Sequence, residues 1–176
     1  MAKVLDIEET LKTATLIVDT REQPTPRAKA RLAATGLPFV REALPAGDYS
    51  LRMTRPDGSI VDLSKAVAIE RKMHLDELCS CYTRERKRFV REFERAKENG
   101  TKLYLMVENA SWDFAIMERY KSQMTTQSLI ASMIVWMIRY DTHIVFVSEL
   151  NSGRMIKEIL LREAKAYLEA EEEDGI

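Results

Sequence analysis

The sequence predicts an α/β domain in which a mixed β-sheet is flanked by helices. Three observations carry this. Short apolar runs rich in β-branched residues alternate with segments of helical periodicity. A Pro56-Asp57-Gly58-Ser59 turn in the first half marks an antiparallel hairpin inside that alternation. The length of 176 residues suits one compact domain.

Residues 1–14 form a short amphipathic lead-in. Leu16-Ile17-Val18 reads as a buried strand, ending at Asp19-Thr20-Arg21-Glu22. Pro24 and Pro26 interrupt regular structure, and Arg27–Ala34 predicts a helix stopped by Gly36 and Pro38. Phe39–Leu44 predicts a second strand, and Tyr49–Met53 with Ser59–Leu63 the hairpin. Val67–Glu70 is a further apolar strand running into Arg71-Lys72. Leu75–Ala96 is helical in pattern, in one or two pieces, and Asn99-Gly100 stops it. Lys102–Glu108 predicts a buried strand, Gln123–Tyr140 a long apolar helix and His143–Val147 the last strand. Asn151 to about Leu168 is a final amphipathic helix. The domain thus spans 15–168, and 169–176 is an acidic tail.

Composition narrows the class. Six Gly, five Pro and 45% hydrophobic residues exclude fibrous and low-complexity chains. The net charge of −1 shows no global positive field, but it hides an asymmetry: Glu169, Glu171, Glu172, Glu173 and Asp174 crowd the C-terminal end. The two cysteines, Cys79 and Cys81, lie too close in sequence for an easy disulfide and are too few for a zinc site. We read them as free thiols of a reducing compartment. The most apolar run, Leu129–Ile138, is about half a membrane span. The expectation is an intracellular, cytoplasmic or nucleoid-associated protein with no membrane partner.

Acids gather at the strand ends: Asp19 and Glu22 after one, Asp48 before another, Glu70 at the end of a third. An acid beside a buried run is costly unless it pairs, caps a helix or binds a cation. Residues i and i+2 of a strand face the same way, so Glu70 and Lys72 point into one site and Arg71 points elsewhere. Carboxylates of this kind suit Mg²⁺, which takes one or two of them and completes its shell with water and phosphate. An acid followed by Glu-x-Lys is the PD-(D/E)XK nuclease signature. By itself it reads equally as a surface ion pair.

The longer string is more specific. Ile17-Val18-Asp19-Thr20-Arg21-Glu22, Gly47-Asp48-Tyr49, Ile69-Glu70-Arg71-Lys72 and Asp76 resemble the XPF family of structure-specific endonucleases, whose core pattern is GD, a gap, then ERKxxxD. The resemblance extends from about Leu16 to Glu149, with Glu108 as the acid ending the following strand. It implies a restriction-endonuclease-like fold and a Mg²⁺- or Mn²⁺-dependent DNA endonuclease acting on flaps, forks, bubbles or four-way junctions in repair or recombination. It further implies that Asp48 and Glu70 hold the metal, that Lys72 serves the attacking water, and that Arg71 steadies a phosphate or the acidic cluster. Asp19 and Glu22 would complete the metal site or hold a second ion. Asp76 would bridge to the active-site loop, or cap a helix. Well-known members add a tandem helix-hairpin-helix module, which finds no counterpart here. A junction-binding subunit that does not cut, and a nuclease for plain duplex or RNA, are the rival readings.

The segment Tyr82–Lys97 carries Phe89, Val90, Phe93 and Ala96 on one face and Arg84, Arg88, Arg91 and Arg95 on the other. Beside a nuclease motif this arginine stripe is expected to contact DNA phosphates. The alternative is a solvated face of i,i+4 ion pairs. His74, His143, Cys79 and Cys81 read as structural. Trp112 and Asp113 either pack a loop or line the mouth of the site. The helix Gln123–Tyr140 leaves little polar face, so it must be covered on more than one side. It is either a central core helix or, joined by the last helix, the interface of a homodimer or heterodimer.

Overall fold

A computed structural model describes residues 2–173. The strands are β1 (Thr15–Val18), β2 (Phe39–Arg41), β3 (Tyr49–Thr54), β4 (Ile60–Asp62), β5 (Val67–Lys72), β6 (Lys102–Glu108) and β7 (His143–Val147). The helices are α1 (Ala2–Lys12), α2 (Pro26–Thr35), α3 (Leu75–Tyr82), α4 (Arg86–Glu98), α5 (Trp112–Ile116), α6 (Thr126–Tyr140) and α7 (Glu149–Glu173).

All seven strands join one sheet in the order β2-β1-β3-β5-β6-β7, with β4 paired to β3. The β1–β2, β5–β6 and β6–β7 pairs are parallel, and β3 is antiparallel to β1, β4 and β5. The sheet is mixed and covered on both faces, as the alternation of apolar runs and helices predicts. One core holds α3, α4, α5 and α6 against Ala68, Leu103, Leu105 and Val107. The other holds α1, α2 and α7 against Leu16, Val18, Leu51, Val67, Ile69 and Met106. Alternate residues of β5 and β6 thus supply opposite cores, the two-residue period of a pleated strand.

Side-chain caps set several helix boundaries. Thr25 accepts from the Ala28 N–H and Pro26 takes the first helical position, so α2 starts beside the proline that interrupts the preceding loop. His74 caps α3 through Nδ1, 3.1 Å from the Glu77 nitrogen, while the Glu77 carboxylate accepts from the Met73 N–H at 2.6 Å. The segment read as Leu75–Ala96 is two helices, broken at 83–85, so Arg84 stands ahead of α4 rather than on it. Thr125 caps α6, so that helix begins three residues later than the apolar pattern suggests.

Two expectations change here. The final helix does not adjoin α6. It lies on the opposite face of the sheet, packed on α2 and α1, so it cannot help α6 form an interface as expected. The acidic tail, for its part, is helical as far as Glu173, and Glu171 pairs with Arg55 at 2.5 Å; residues 174–176 lie outside the described residues.

The contact of α7 with α2 depends on Gly153. A Cβ placed there would lie 2.3 Å from the Arg31 carbonyl oxygen and 2.8 Å from the Ala34 Cβ. No rotamer change relieves a clash with backbone, so Gly153→Ala must push the helices apart. We expect it to cost about 3 kcal/mol. Urea unfolding should show this as a lower midpoint at unchanged slope. An unchanged midpoint would refute the close approach.

Candidate active site

Four strands deliver the acids to one end of the sheet. β1, β5 and β6 are parallel, so Asp19, Glu70 and Glu108 all sit at carboxyl ends. β3 runs the other way, which places its start, Asp48, beside them. β3 and β5 share a single residue pair, Tyr49 with Ile69, before β3 turns aside to its hairpin. Gly47 makes that approach possible. Its φ is 74°, and a Cβ there would lie 3.0 Å from both Ala68 Cβ and the Ile69 carbonyl oxygen. The Asp48 N–H then donates to that same carbonyl at 2.8 Å.

A cavity of about 480 Å³ opens at this end. Of the expected site residues it collects Glu22, Asp48, Glu70, Arg71, Lys72, Arg88, Arg91 and Arg95. Asp48 Oδ2 accepts the Arg71 N–H at 2.8 Å, and Glu70 Oε1 accepts from Lys72 Nζ at 2.6 Å. Both carboxyls are pushed above the usual range, first by burial; the Asp48 charge adds to the effect on Glu70. Lys72 is held charged: burial is the largest single effect and opposes its ammonium, but Glu70, Cys81 and Asp48 together outweigh it and raise its pKa. Its Nζ also lies 5.4 Å from the centre of the Phe89 ring, so α4 roofs the site.

A buried acid, Glu70, a half-buried one, Asp48, and one cation leave negative charge uncompensated, and the hard carboxylate oxygens are the donors Mg²⁺ or Mn²⁺ prefers. Among the described residues no three His, Cys, Asp or Glu side chains gather closely enough to enclose an ion. A metal here would therefore take one or two carboxylates and complete its shell with water and phosphate.

Arg71 points to the opposite face, where it joins a second charged group. Glu108 is fully buried. It accepts from Arg31 Nε at 3.0 Å and from Arg71 Nη1 at 3.2 Å. Glu22 accepts from the Tyr49 hydroxyl at 3.0 Å, from Arg31 Nη1 at 3.3 Å and from Arg71 Nη2 at 3.4 Å. Two carboxylates thus meet two guanidiniums, and Ser152 of α7 accepts a further bond from Arg31. Glu22 touches the cavity from within this network.

Asp19 does not line the cavity. Its Oδ1 accepts from the Arg21 backbone and side chain at 2.8 and 2.6 Å, and Oδ2 from the Leu44 N–H at 2.7 Å. Burial raises its pKa, but these bonds more than offset that and hold it below the usual range. The carboxylate expected at the metal instead ties together the loops after β1 and β2. It also ends β2 early, at Arg41 rather than Leu44.

Asp76 also lies outside the cavity. It is not the cap of α3, a place His74 takes. Its Oδ1 accepts the N–H groups of Lys121 and Ser122, both at 2.7 Å, pinning the α5–α6 loop onto α3. Arg84 faces two neighbouring hollows.

Sequence reasoning missed four contributors. Arg21, Glu77 and Glu92 line the cavity, and Glu92 Oε1 accepts the Gly47 N–H at 3.2 Å. Arg31, read only as part of a short Ala- and basic-rich helix, is buried beneath the site. Of the weaker signals, Trp112 packs its ring on Phe146. Cys79 and Cys81 are free and buried, and burial pushes the Cys81 thiol up to about 11, so it stays protonated at neutral pH.

Comparison with known proteins agrees with this construction. No curated protein sequence matches the chain. Among solved structures, XPF from Aeropyrum pernix matches with a TM-score of 0.59 and 21% identity, covering 83% of this chain and 59% of that one. XPF from Aeropyrum pernix in complex with DNA matches with a TM-score of 0.59 and 22% identity, covering 86% of this chain and 65% of that one. The chain spans less than two thirds of the length of either, and at these identities the likeness establishes the fold. The sequence itself matches the ERCC4 domain over residues 18–159, which include every strand-end acid of the site; the chain belongs to the ERCC4 domain family.

Proposed function

We propose that this chain is a metal-dependent endonuclease that hydrolyses DNA phosphodiesters at branched or flapped structures in repair or recombination. The observation that carries the reading is the pair Asp48 and Glu70, brought together in a cavity with Lys72 and roofed by a helix that lines it with Arg88, Arg91 and Arg95. Asp48 and Glu70 would hold Mg²⁺ or Mn²⁺, which when bound neutralises phosphate charge and lowers the pKa of a water. Lys72, charged and fixed against Glu70, orients the attacking water or meets the charge that develops on the phosphate. Arg71 is held by Glu22 and Glu108 beneath the cavity and gives the acidic cluster a fixed positive neighbour. Arg91 and Arg95 are exposed at the rim, suited to phosphates that fix position without reading sequence. The DNA complex of the Aeropyrum pernix protein supports a nucleic-acid partner for the same fold.

The site reading is tested by cleavage of flap, fork, bubble, four-way-junction and linear DNA with Mg²⁺ or Mn²⁺. Asp48→Asn and Glu70→Gln should each lower turnover by roughly three orders of magnitude, about 4 kcal/mol, while DNA binding persists. Lys72→Ala should lose turnover and keep metal binding. Near-normal turnover in either carboxylate variant refutes the metal assignment. A wild-type chain that binds junctions and cuts none favours the non-cutting subunit.

Neutralising Arg84, Arg88 and Arg91 together should weaken binding of all DNA ligands alike. It should also flatten the log–log salt dependence by about 0.9 per lost duplex contact. An unchanged slope returns these arginines to a solvated face, on which Arg88 pairs with Glu85 one turn away.

We also propose a homodimer, now through α6 without α7. Leu129, Met133, Trp136 and Tyr140 are buried, but Ile134, Val135, Met137 and Ile138 remain 38–78% exposed beside the open edge of β7. Burying one such side chain is worth roughly 1.5–3 kcal/mol, and a two-fold pairing lets one patch serve both subunits. Light scattering at micromolar concentration should give twice the 20.3 kDa chain mass. A monodisperse monomer refutes the homodimer.

A further inference from the structure

A hollow of about 990 Å³ lies between α3 and the segment 121–124 that leads into α6. It lies on the α3 side of the candidate active site, one hollow removed from the cavity. A second hollow, of about 890 Å³ around the start of α4, shares Thr83 and Arg84 with the first, and shares Arg88 and Arg91 with the cavity holding Asp48 and Glu70. Neighbouring hollows that share these side chains therefore succeed one another from the carboxylates to Lys121.

The chemistry of these hollows suits a polyanion. Arg84, Arg88, Arg91 and Lys121 stand along them, all exposed. His74 spends Nδ1 as an acceptor for the Glu77 N–H, so its neutral ring carries a proton on Nε2 and offers a donor. Asp76 is the one acid lining the far hollow, and the two amides it accepts offset part of its charge. Met124 adds a polarisable apolar surface against which a base can pack. At this volume the hollow matches the upper range of small-molecule pockets. It has room for a few nucleotides. A positive groove that follows a backbone is how proteins hold single strands.

We infer that this groove between α3 and the α5–α6 loop binds a few nucleotides of a single strand leaving the candidate active-site cavity, gripped through their phosphates. The chain would then prefer DNA bearing a single-stranded arm to plain duplex. This rests on the nuclease reading above. It adds where the strand runs and which residues outside the arginine stripe hold it: Lys121 and Gln123 at the far end, with His74 between them and the cavity.

The test is fluorescence anisotropy with EDTA present, so that nothing is cut. It compares a plain duplex with the same duplex carrying a short single-stranded arm. The variant Lys121→Glu with Gln123→Glu alters two exposed side chains remote from Asp48 and Glu70. It should bind the armed DNA roughly tenfold more weakly, keep plain-duplex affinity within about twofold, and reduce the salt slope for the armed DNA by about 0.7 for the lost single-strand contact. Lys121→Arg should preserve armed-DNA affinity. Equal losses on both DNAs, or no loss on either, overturn the groove and leave the nuclease reading standing. Failure of the unaltered chain to bind either DNA overturns both.

Discussion

Four carboxylates must be held within one end of a small sheet, largely out of water, and the rest of the site follows from how that is done. The pleat of β5 divides them. Glu70 faces α4 together with Lys72, while Arg71 faces α2 and α7 together with Glu108 and Glu22. On the α2–α7 side the charges balance, with Arg31 and Arg71 against Glu22 and Glu108. On the α4 side Lys72 pairs with Glu70, and among the described residues no cation pairs with Asp48. One residue of strand offset therefore separates a charge-balanced cluster from one with an acid left over. A slip of one residue in β5 would exchange the two and destroy both.

The balanced cluster is a costly way to hold a fold. Buried ion pairs seldom stabilise more than an apolar replacement would, while removing one member leaves a charge stranded. What the cluster supplies is position. Arg31 comes from α2, Glu22 from the loop after β1, Glu108 from the end of β6 and Ser152 from α7. Each bond fixes one element relative to Arg71, whose own N–H is the donor to Asp48. The Asp48 carboxylate is thus anchored through the backbone of a residue whose side chain is locked on the other face. Gly153 belongs to the same device, because only a glycine lets α7 approach the Arg31 backbone closely enough to place Ser152.

Much of this was legible in the sequence where the signal is local. The two-residue period separates Glu70 and Lys72 from Arg71 without reference to anything distant. Gly47-Asp48 is picked out by the family pattern, while the close approach that requires its glycine is seen only in the fold. The helical period assigns Phe89, Phe93 and Ala96 to the core, where all three lie. Expectations failed where the deciding contact is remote. Asp19 and Asp48 look alike as acids at the ends of apolar runs, but the Leu44 N–H and the Arg21 side chain claim one and not the other. Arg31 lies in a short Ala-rich basic helix, and only the approach of α7 buries it. The side of the sheet on which α7 packs was equally unreadable, because an amphipathic helix following a strand fits either face.

Helix α4 shows why such misreadings concentrate at the site. Its apolar face is required by the core, so its remaining residues are free to be charged and read as solvated. Yet the core contact fixes the helix rotation, and the rotation carries Glu92 over the site to the Gly47 N–H and Arg88, Arg91 and Arg95 to the cavity wall. The same packing stacks Phe89 on Trp136 at 5.5 Å and leaves Lys72 Nζ 5.4 Å from the Phe89 ring centre. Trp136 belongs to α6, whose outer face is the exposed apolar stripe. The carboxylate site, the basic rim and the apolar stripe therefore rest on a single aromatic layer, so the packing that fixes Trp136 and Phe89 also fixes where the lysine beside Glu70 and the arginines of the rim stand.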